Sequence, residues 1–185
     1  EWLPKNTTAK SRVFFYFSGH GSPDTKTGQA YLVPADGDPA FLKSTAYALN
    51  DLYASLEHLP AARIVVGLDS CFSGAGGRSV LAKGVRPLVG KIDMGTPAAG
   101  GRLVVLAAAE GDQLSGGLAS EQQGAFTHFL LRGLEGAAQD AQGRITAGSL
   151  AAFIRPKVAD AARRQNREQT PVLYGDPATV LFELK

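Results

Sequence analysis

Two stretches constrain this chain more than anything else in it: Phe14-Phe15-Tyr16-Phe17-Ser18-Gly19-His20-Gly21 and Ile64-Val65-Val66-Gly67-Leu68-Asp69-Ser70-Cys71-Phe72-Ser73-Gly74. Each is an apolar run that closes in small residues and one chemically capable side chain, a histidine in the first and a cysteine in the second. Val13 to Phe17 is β-branched or aromatic throughout, and Ile64 to Leu68 is similarly apolar, with one glycine. Apolar runs of this length, bounded by turn residues, suit strands buried on both faces. The β-rich composition and the glycines that follow favour strand over buried helix.

Cys71 is the only cysteine, so it has no disulfide partner within the chain. A lone thiol and an imidazole, each at the mouth of its own strand, are the parts of a cysteine nucleophile and its acid–base partner. If the extended conformation continues, Ser18 shares a face with His20, and Asp69 with Cys71. A carboxylate about 6–7 Å from a thiol would work against a thiolate, so Asp69 makes more sense as an anchor for a positive charge on the substrate. Cys71 and His20 alone are too few for a zinc site, and no Cys-x-x-Cys or His-x-x-x-His spacing is present.

The remainder alternates strands and helices, as α/β proteins do. Tyr31-Leu32-Val33 is a short extended piece. Asn50 or Asp51 can cap a helix running to Leu59, with Leu52, Leu56 and Leu59 on one face and Pro60 ending it. That helix feeds the Cys71 strand, a right-handed parallel crossover. Leu103 to Ala108 reads as a third strand and Ala125 to Leu134 as a helix. Leu150, Phe153, Ile154, Val158, Ala161 and Ala162 form an amphipathic stripe that Pro156 should kink. Thr179 to Leu184 reads as the last strand. Active residues at the carboxyl ends of parallel strands fit the rule for open α/β sheets.

The motifs Ser18-Gly19-His20-Gly21 and Asp69-Ser70-Cys71-Phe72-Ser73-Gly74 together resemble those of the caspase-like cysteine peptidases (peptidase family C14, clan CD), closest to the bacterial metacaspase or orthocaspase-like branch. True caspases carry Gln-Ala-Cys where this chain has Asp69-Ser70-Cys71. Gly124 to Leu134 is similar to the helix after the next strand in bacterial members, and Gln169-Thr170-Pro171 to their approach to the final strand. The resemblance implies a caspase-like three-layer sandwich, a mostly parallel sheet with helices on both faces. It implies Cys71 as nucleophile, His20 as general acid, and the backbone amides of Gly21 and Cys71 as the oxyanion hole. Ser18 and Asp69 match residues lining an S1 pocket that accepts arginine or lysine. No residue obviously orients His20, so a dyad is expected.

The family normally has a strand, a helix and a second strand before the point where this sequence opens, at Glu1-Trp2-Leu3-Pro4. The expectation is a single domain lacking those N-terminal strands, with an exposed sheet edge and a need for the missing segment as a partner. Residues 1–77 would be the large-subunit-like part and 103–185 the small-subunit-like part. The intervening 78–102, rich in glycine, proline and basic residues, is too long for a routine connection. If P1 is basic, Arg78, Lys83, Arg86, Lys91 and Arg102 are candidate self-cleavage sites. Relatives acting in bacterial defence or cell death extend the expectation to such a pathway.

Composition narrows the remaining classes. A net charge of +2 argues against a dedicated nucleic-acid surface. No apolar run approaches the roughly 18 residues of a membrane span. A single cysteine fits a reducing compartment, hence the cytoplasm. No cofactor is expected. Some metacaspases need calcium, but Asp24, Asp36 and Asp38 do not form a recognisable calcium loop, and Asp140-Ala141-Gln142-Gly143 lacks the acidic alternation of an EF-hand. His58 and His128 read as structural, and Arg163, Arg164 and Arg167 as a solvated helix face. The expected substrate is a polypeptide. The alternatives are a catalytically silent interaction domain on the same fold, or a small-molecule amidase or acyltransferase.

Overall fold

A computed structural model describes residues 2–73, 81, 92–95, 97, 101–110, 113, 116–118 and 123–183. A short helix, α1 (Trp2–Lys5), leads into β1 (Arg12–Ser18). A bend at Gly19 opens a separate hairpin, β2 (His20–Pro23) and β3 (Ala30–Val33). After one turn of 3-10 helix (Pro39–Phe41) come α2 (Leu42–Thr45), β4 (Tyr47–Ala48), α3 (Leu49–Glu57) and β5 (Arg63–Asp69). Next are β6 (Leu103–Ala107), the small hairpin β7 (Gly117–Leu118) and β8 (Gln123–Gly124), and α4 (Ala125–Arg132), which runs into a π-turn over Gly133–Ala137. The chain closes with β9 (Arg144–Thr146), α5 (Ala147–Arg163), β10 (Val172–Tyr174) and β11 (Val180–Glu183).

The main sheet has the order β1-β5-β6-β10. The first three strands are parallel and β10 is antiparallel to β6. Alternation along the strands divides the core into two layers. Ile64, Val66, Leu68, Leu103, Val105 and Ala107 face one way and pack with Leu49, Leu52, Tyr53 and Leu56 of α3. Val65, Val104 and Leu106 face the other way and meet Phe126 and Leu130 of α4 and Leu150, Ile154 and Val158 of α5. This explains why β5 and β6 are apolar at nearly every position: neither face is wet. Among the described strands β1 has a neighbour only on its β5 side, and its Phe14 is 44% exposed.

Several local expectations are corrected. The helix expected to be capped by Asn50 or Asp51 begins at Leu49. Its N-cap position is Ala48, with no side-chain cap, and Asp51 lies in the first turn, where its charge suits the helix dipole. α5 is continuous from Ala147 to Arg163 with Pro156 inside it, which leaves the expected kink there untouched. Pro156 and Ala152 are solvent-exposed, so the Ala152 carbonyl that loses its helical partner faces water, while the buried stripe holds both halves together. A capping box unnoticed in the sequence starts this helix: Ser149 N–H donates to Thr146 Oγ1, and Thr146 N–H to Ser149 Oγ, both at 3.0 Å. The expected last strand exists as β11, but it pairs with β9 in a separate two-stranded sheet. The last strand of the main sheet is β10.

Candidate active site

β1 and β5 run in register from Arg12↔Arg63 to Ser18↔Asp69. The two strands therefore end side by side, and their next residues form one edge of the site. Two hydrogen bonds tie these ends together. Gly19 N–H donates to the Asp69 carbonyl at 3.3 Å, and Ser70 Oγ donates to the Gly19 carbonyl at 2.7 Å. One residue further on, the backbone of Gly21 lies against the Cys71 carbonyl and the Phe72 ring, leaving no room for a Cβ at position 21. Only glycine allows this approach. The segments carrying His20 and Cys71 are thus in backbone contact on both sides of the histidine.

The strand alternation expected to pair His20 with Ser18 and Cys71 with Asp69 stops short of both. β1 ends at Ser18, Gly19 is a bend, and His20 opens β2, where it pairs with Val33. β5 ends at Asp69, two residues before Cys71. What does hold is a different pairing: Ser18 and Asp69 are register partners on adjacent parallel strands, so they share a face. His20 and Ser18 are exposed. Cys71 is 1% exposed and Asp69 0%.

Asp69 faces the α4 layer. Thr127, in the first turn of α4, donates from Oγ1 to Asp69 Oδ2 at 2.5 Å. Tyr16, two residues before Ser18 on β1, places its hydroxyl 2.5 Å from Thr127 Oγ1. Neither Tyr16 nor Thr127 could be singled out from the sequence. Thr127 lies in the stretch quoted for its resemblance, but no periodicity shows that its hydroxyl meets Asp69. Gln169 is a second buried polar residue with a defined task. Its Nε2 donates to the Ala108 carbonyl at 3.0 Å, and its Oε1 accepts from Gly116 N–H at 3.1 Å. It thereby joins the end of β6 to the hairpin before α4.

Of the five candidate cleavage sites, Arg78, Lys83, Arg86 and Lys91 lie outside the described residues. Arg102 is engaged: its guanidinium donates to the carbonyls of Ala61 at 2.6 Å and Glu57 at 3.0 Å, and its own carbonyl accepts from Ile64 N–H at 3.0 Å. The carboxylates considered for calcium have local roles. Asp24 accepts from Lys26 N–H at 2.8 Å, which holds its carboxyl below the usual carboxylate range. Asp38 caps the 3-10 turn through Ala40 N–H. Asp140 is likewise lowered, chiefly by the Arg144 backbone N–H. Among the described residues no group of three or more His, Cys, Asp or Glu side chains could hold a metal ion, and no helix is long and apolar enough to cross a membrane.

A mostly parallel sheet with helices on both faces, and a thiol and an imidazole on adjoining segments at its carboxyl edge, defines an α/β protein with the layout of a cysteine peptidase. The chain belongs to the caspase-domain family (peptidase family C14), whose model matches residues 2–182. A crystal structure of a Geobacter sulfurreducens protein shares the fold, with a TM-score of 0.57 and 20% identity over 97% of this chain and 75% of that one. No curated protein matches the chain by sequence.

Proposed function

We propose that this protein is a cysteine endopeptidase that cleaves polypeptides after arginine or lysine. The observation that carries the reading is the joining of the two motif segments: Gly19 to Gly21 lies against Asp69 to Phe72, which brings the residues flanking His20 onto those flanking Cys71. The Cys71 thiolate attacks the scissile carbonyl carbon, forming the C–S bond. The resulting oxyanion is met by the backbone amides of Gly21 and Cys71; one such donor is worth roughly 3 kcal/mol. His20 passes a proton to the departing amine as the C–N bond breaks, leaving a thioester. Water then adds to the thioester, and its collapse releases the acid and returns the thiol. A dyad suffices for this chemistry.

The preference for a basic P1 residue rests on Asp69, a buried carboxylate at the strand end beside Ser18. Asp69 and Cys71 are both screened from solvent, so the substrate has to gain access to them. A panel of fluorogenic peptides ending in Arg, Lys or Asp tests the reading. Turnover of the Arg and Lys peptides, abolished in Cys71→Ala and His20→Ala and selectively weakened in Asp69→Ala, is expected. An unchanged P1 preference in Asp69→Ala removes its assigned role. Self-cleavage between the two parts of the chain belongs to the same proposal. Mass spectra of wild type beside Cys71→Ala decide it, since identical fragments in both would sink it.

The burial of Cys71 favours one second reading, a silent caspase-like interaction domain. Failure of every peptide in the panel, together with no covalent capture of Cys71, would select it. A bacterial defence or cell-death role remains a proposal to be approached through the substrates found.

A further inference from the structure

We infer that Thr127, supported by Tyr16, is the positioning residue that sets the P1 specificity of this site; the inference rests on the assignment of Asp69 as the P1 anchor. The direction of the hydrogen bonds follows from donor count. A threonine hydroxyl has one proton, and an ionised carboxylate only accepts. With the Thr127 proton committed to Asp69 Oδ2, the bond between Tyr16 and Thr127 has the tyrosine as donor. The chain therefore runs one way, Tyr16 O–H to Thr127 O–H to the Asp69 carboxylate.

Each member comes from a different element: β1, α4 and β5. Asp69 is fully buried, and a buried carboxylate takes the orientation its donors give it. Hydrogen bonds onto a carboxylate are among the stronger kind, and a donor that is itself hydrogen-bonded is polarised further. Thr127 is fixed in turn, because Phe126 and Leu130 on either side of it in α4 are buried in the core. The helix thus fixes one oxygen of the Asp69 carboxylate, Oδ2, relative to Ser18 at the strand end. Tyr16 is 39% exposed, so it is the outermost and weakest link.

This arrangement separates charge recognition from bond cleavage. Thr127 sits on α4, an element that carries neither the thiol nor the imidazole, yet it holds the group that would read the P1 cation. Thr127→Val keeps the shape and removes the donor. Thr127→Ser keeps the donor. Tyr16→Phe leaves Thr127 in place and removes only its support.

The experiment compares kcat/KM for two matched peptides, one with P1 arginine and one with citrulline, which replaces the guanidinium by a neutral ureido group of nearly equal size. The full protein is used in every arm, with a thermal melt of each variant. Thr127→Val is expected to lower the Arg-to-citrulline ratio by about ten-fold or more, chiefly through KM for the Arg peptide. Thr127→Ser restores the ratio, and Tyr16→Phe falls between. A ratio that survives Thr127→Val, or an equal loss on both peptides, overturns the inference while leaving the basic P1 preference standing. A wild type that cleaves peptides with no preference for Arg over citrulline overturns the P1 reading, and this inference with it. Should Thr127→Val fail to fold, Tyr16→Phe decides by the same ratio, and no change there counts against the relay.

Discussion

Ser70 Oγ donates a hydrogen bond to the Gly19 carbonyl across 51 residues of sequence. It is a side-chain link between the segment that carries the cysteine and the segment that carries the histidine. Ser70 is itself buried, so the bond is shielded from competition with water. A single neutral hydrogen bond of this kind is worth about 1 kcal/mol net. Its larger consequence is geometric, because small displacements of reacting groups are costly in rate.

Ser70→Ala is expected to cost about 1 kcal/mol of stability and to lower kcat more than KM on an Arg peptide. Chemical denaturation and steady-state kinetics check the two halves separately. Stability falling with kcat unchanged would make the contact purely structural.

Gly21→Ala should be more severe. A Cβ there meets the Cys71 carbonyl and the Phe72 ring, both in the buried part of the site. Relief requires moving the backbone of Gly21 or Cys71, whose amides are the proposed oxyanion donors. Overpacking costs typically about 1–3 kcal/mol, and displacing one oxyanion donor lowers kcat by about a hundred-fold or more. A variant that folds and turns over like wild type would remove Gly21 from the site.

Tyr53 gives a prediction about stability alone. Its side chain is buried in the α3 layer, and its hydroxyl has no hydrogen-bond partner among the described residues. Burial, with Tyr174 and Asp93 nearby, raises its pKa above the ordinary value of 10.0. The fold therefore favours the protonated phenol. That contribution is fully present below the unfolded-state value and is lost as pH rises beyond it towards the folded-state value. Tyr31 and Tyr174 are raised as well, again first by burial. Wild type should lose denaturant resistance above about pH 10. Tyr53→Phe should be at least as stable at neutral pH and should lose less on the alkaline side. Parallel alkaline curves for the two proteins would contradict this.

How much of this was legible in the sequence depended on what fixes each element. β5 and β6 announce themselves because strands covered on both faces must be apolar throughout. β1 is as apolar in sequence, yet its Arg12, Phe14, Tyr16 and Ser18 are exposed, so the expectation of burial on both faces fails there. β10 does not announce itself: Val172–Tyr174 is three residues long and only half-buried, too short to show a period. Thr179 to Leu184 had the composition of a strand, but composition does not say which sheet a strand joins. Cys71 and His20 were visible because their residue types are scarce and sit in distinctive motifs. The relay onto Asp69 was not, because threonine and tyrosine are common, and the contact depends on how α4 packs over the ends of β1 and β5. Ser18 was expected to share a face with His20, and Asp69 with Cys71, but neither strand extends that far. The face that is shared is that of Ser18 and Asp69, which strand register pairs.

The central claim is that Cys71 is a nucleophile in a site that reads a basic P1 residue. With one cysteine in the chain, the mass of the intact protein reports on that thiol alone. The decisive measurement is intact-mass analysis after exposure to matched peptidyl acyloxymethyl ketones ending in arginine or in aspartate. The account predicts a single adduct on Cys71 with the arginyl reagent, lost in His20→Ala and slowed in Asp69→Ala, with little from the aspartyl reagent. No adduct from either reagent, or equal capture by both, would contradict it.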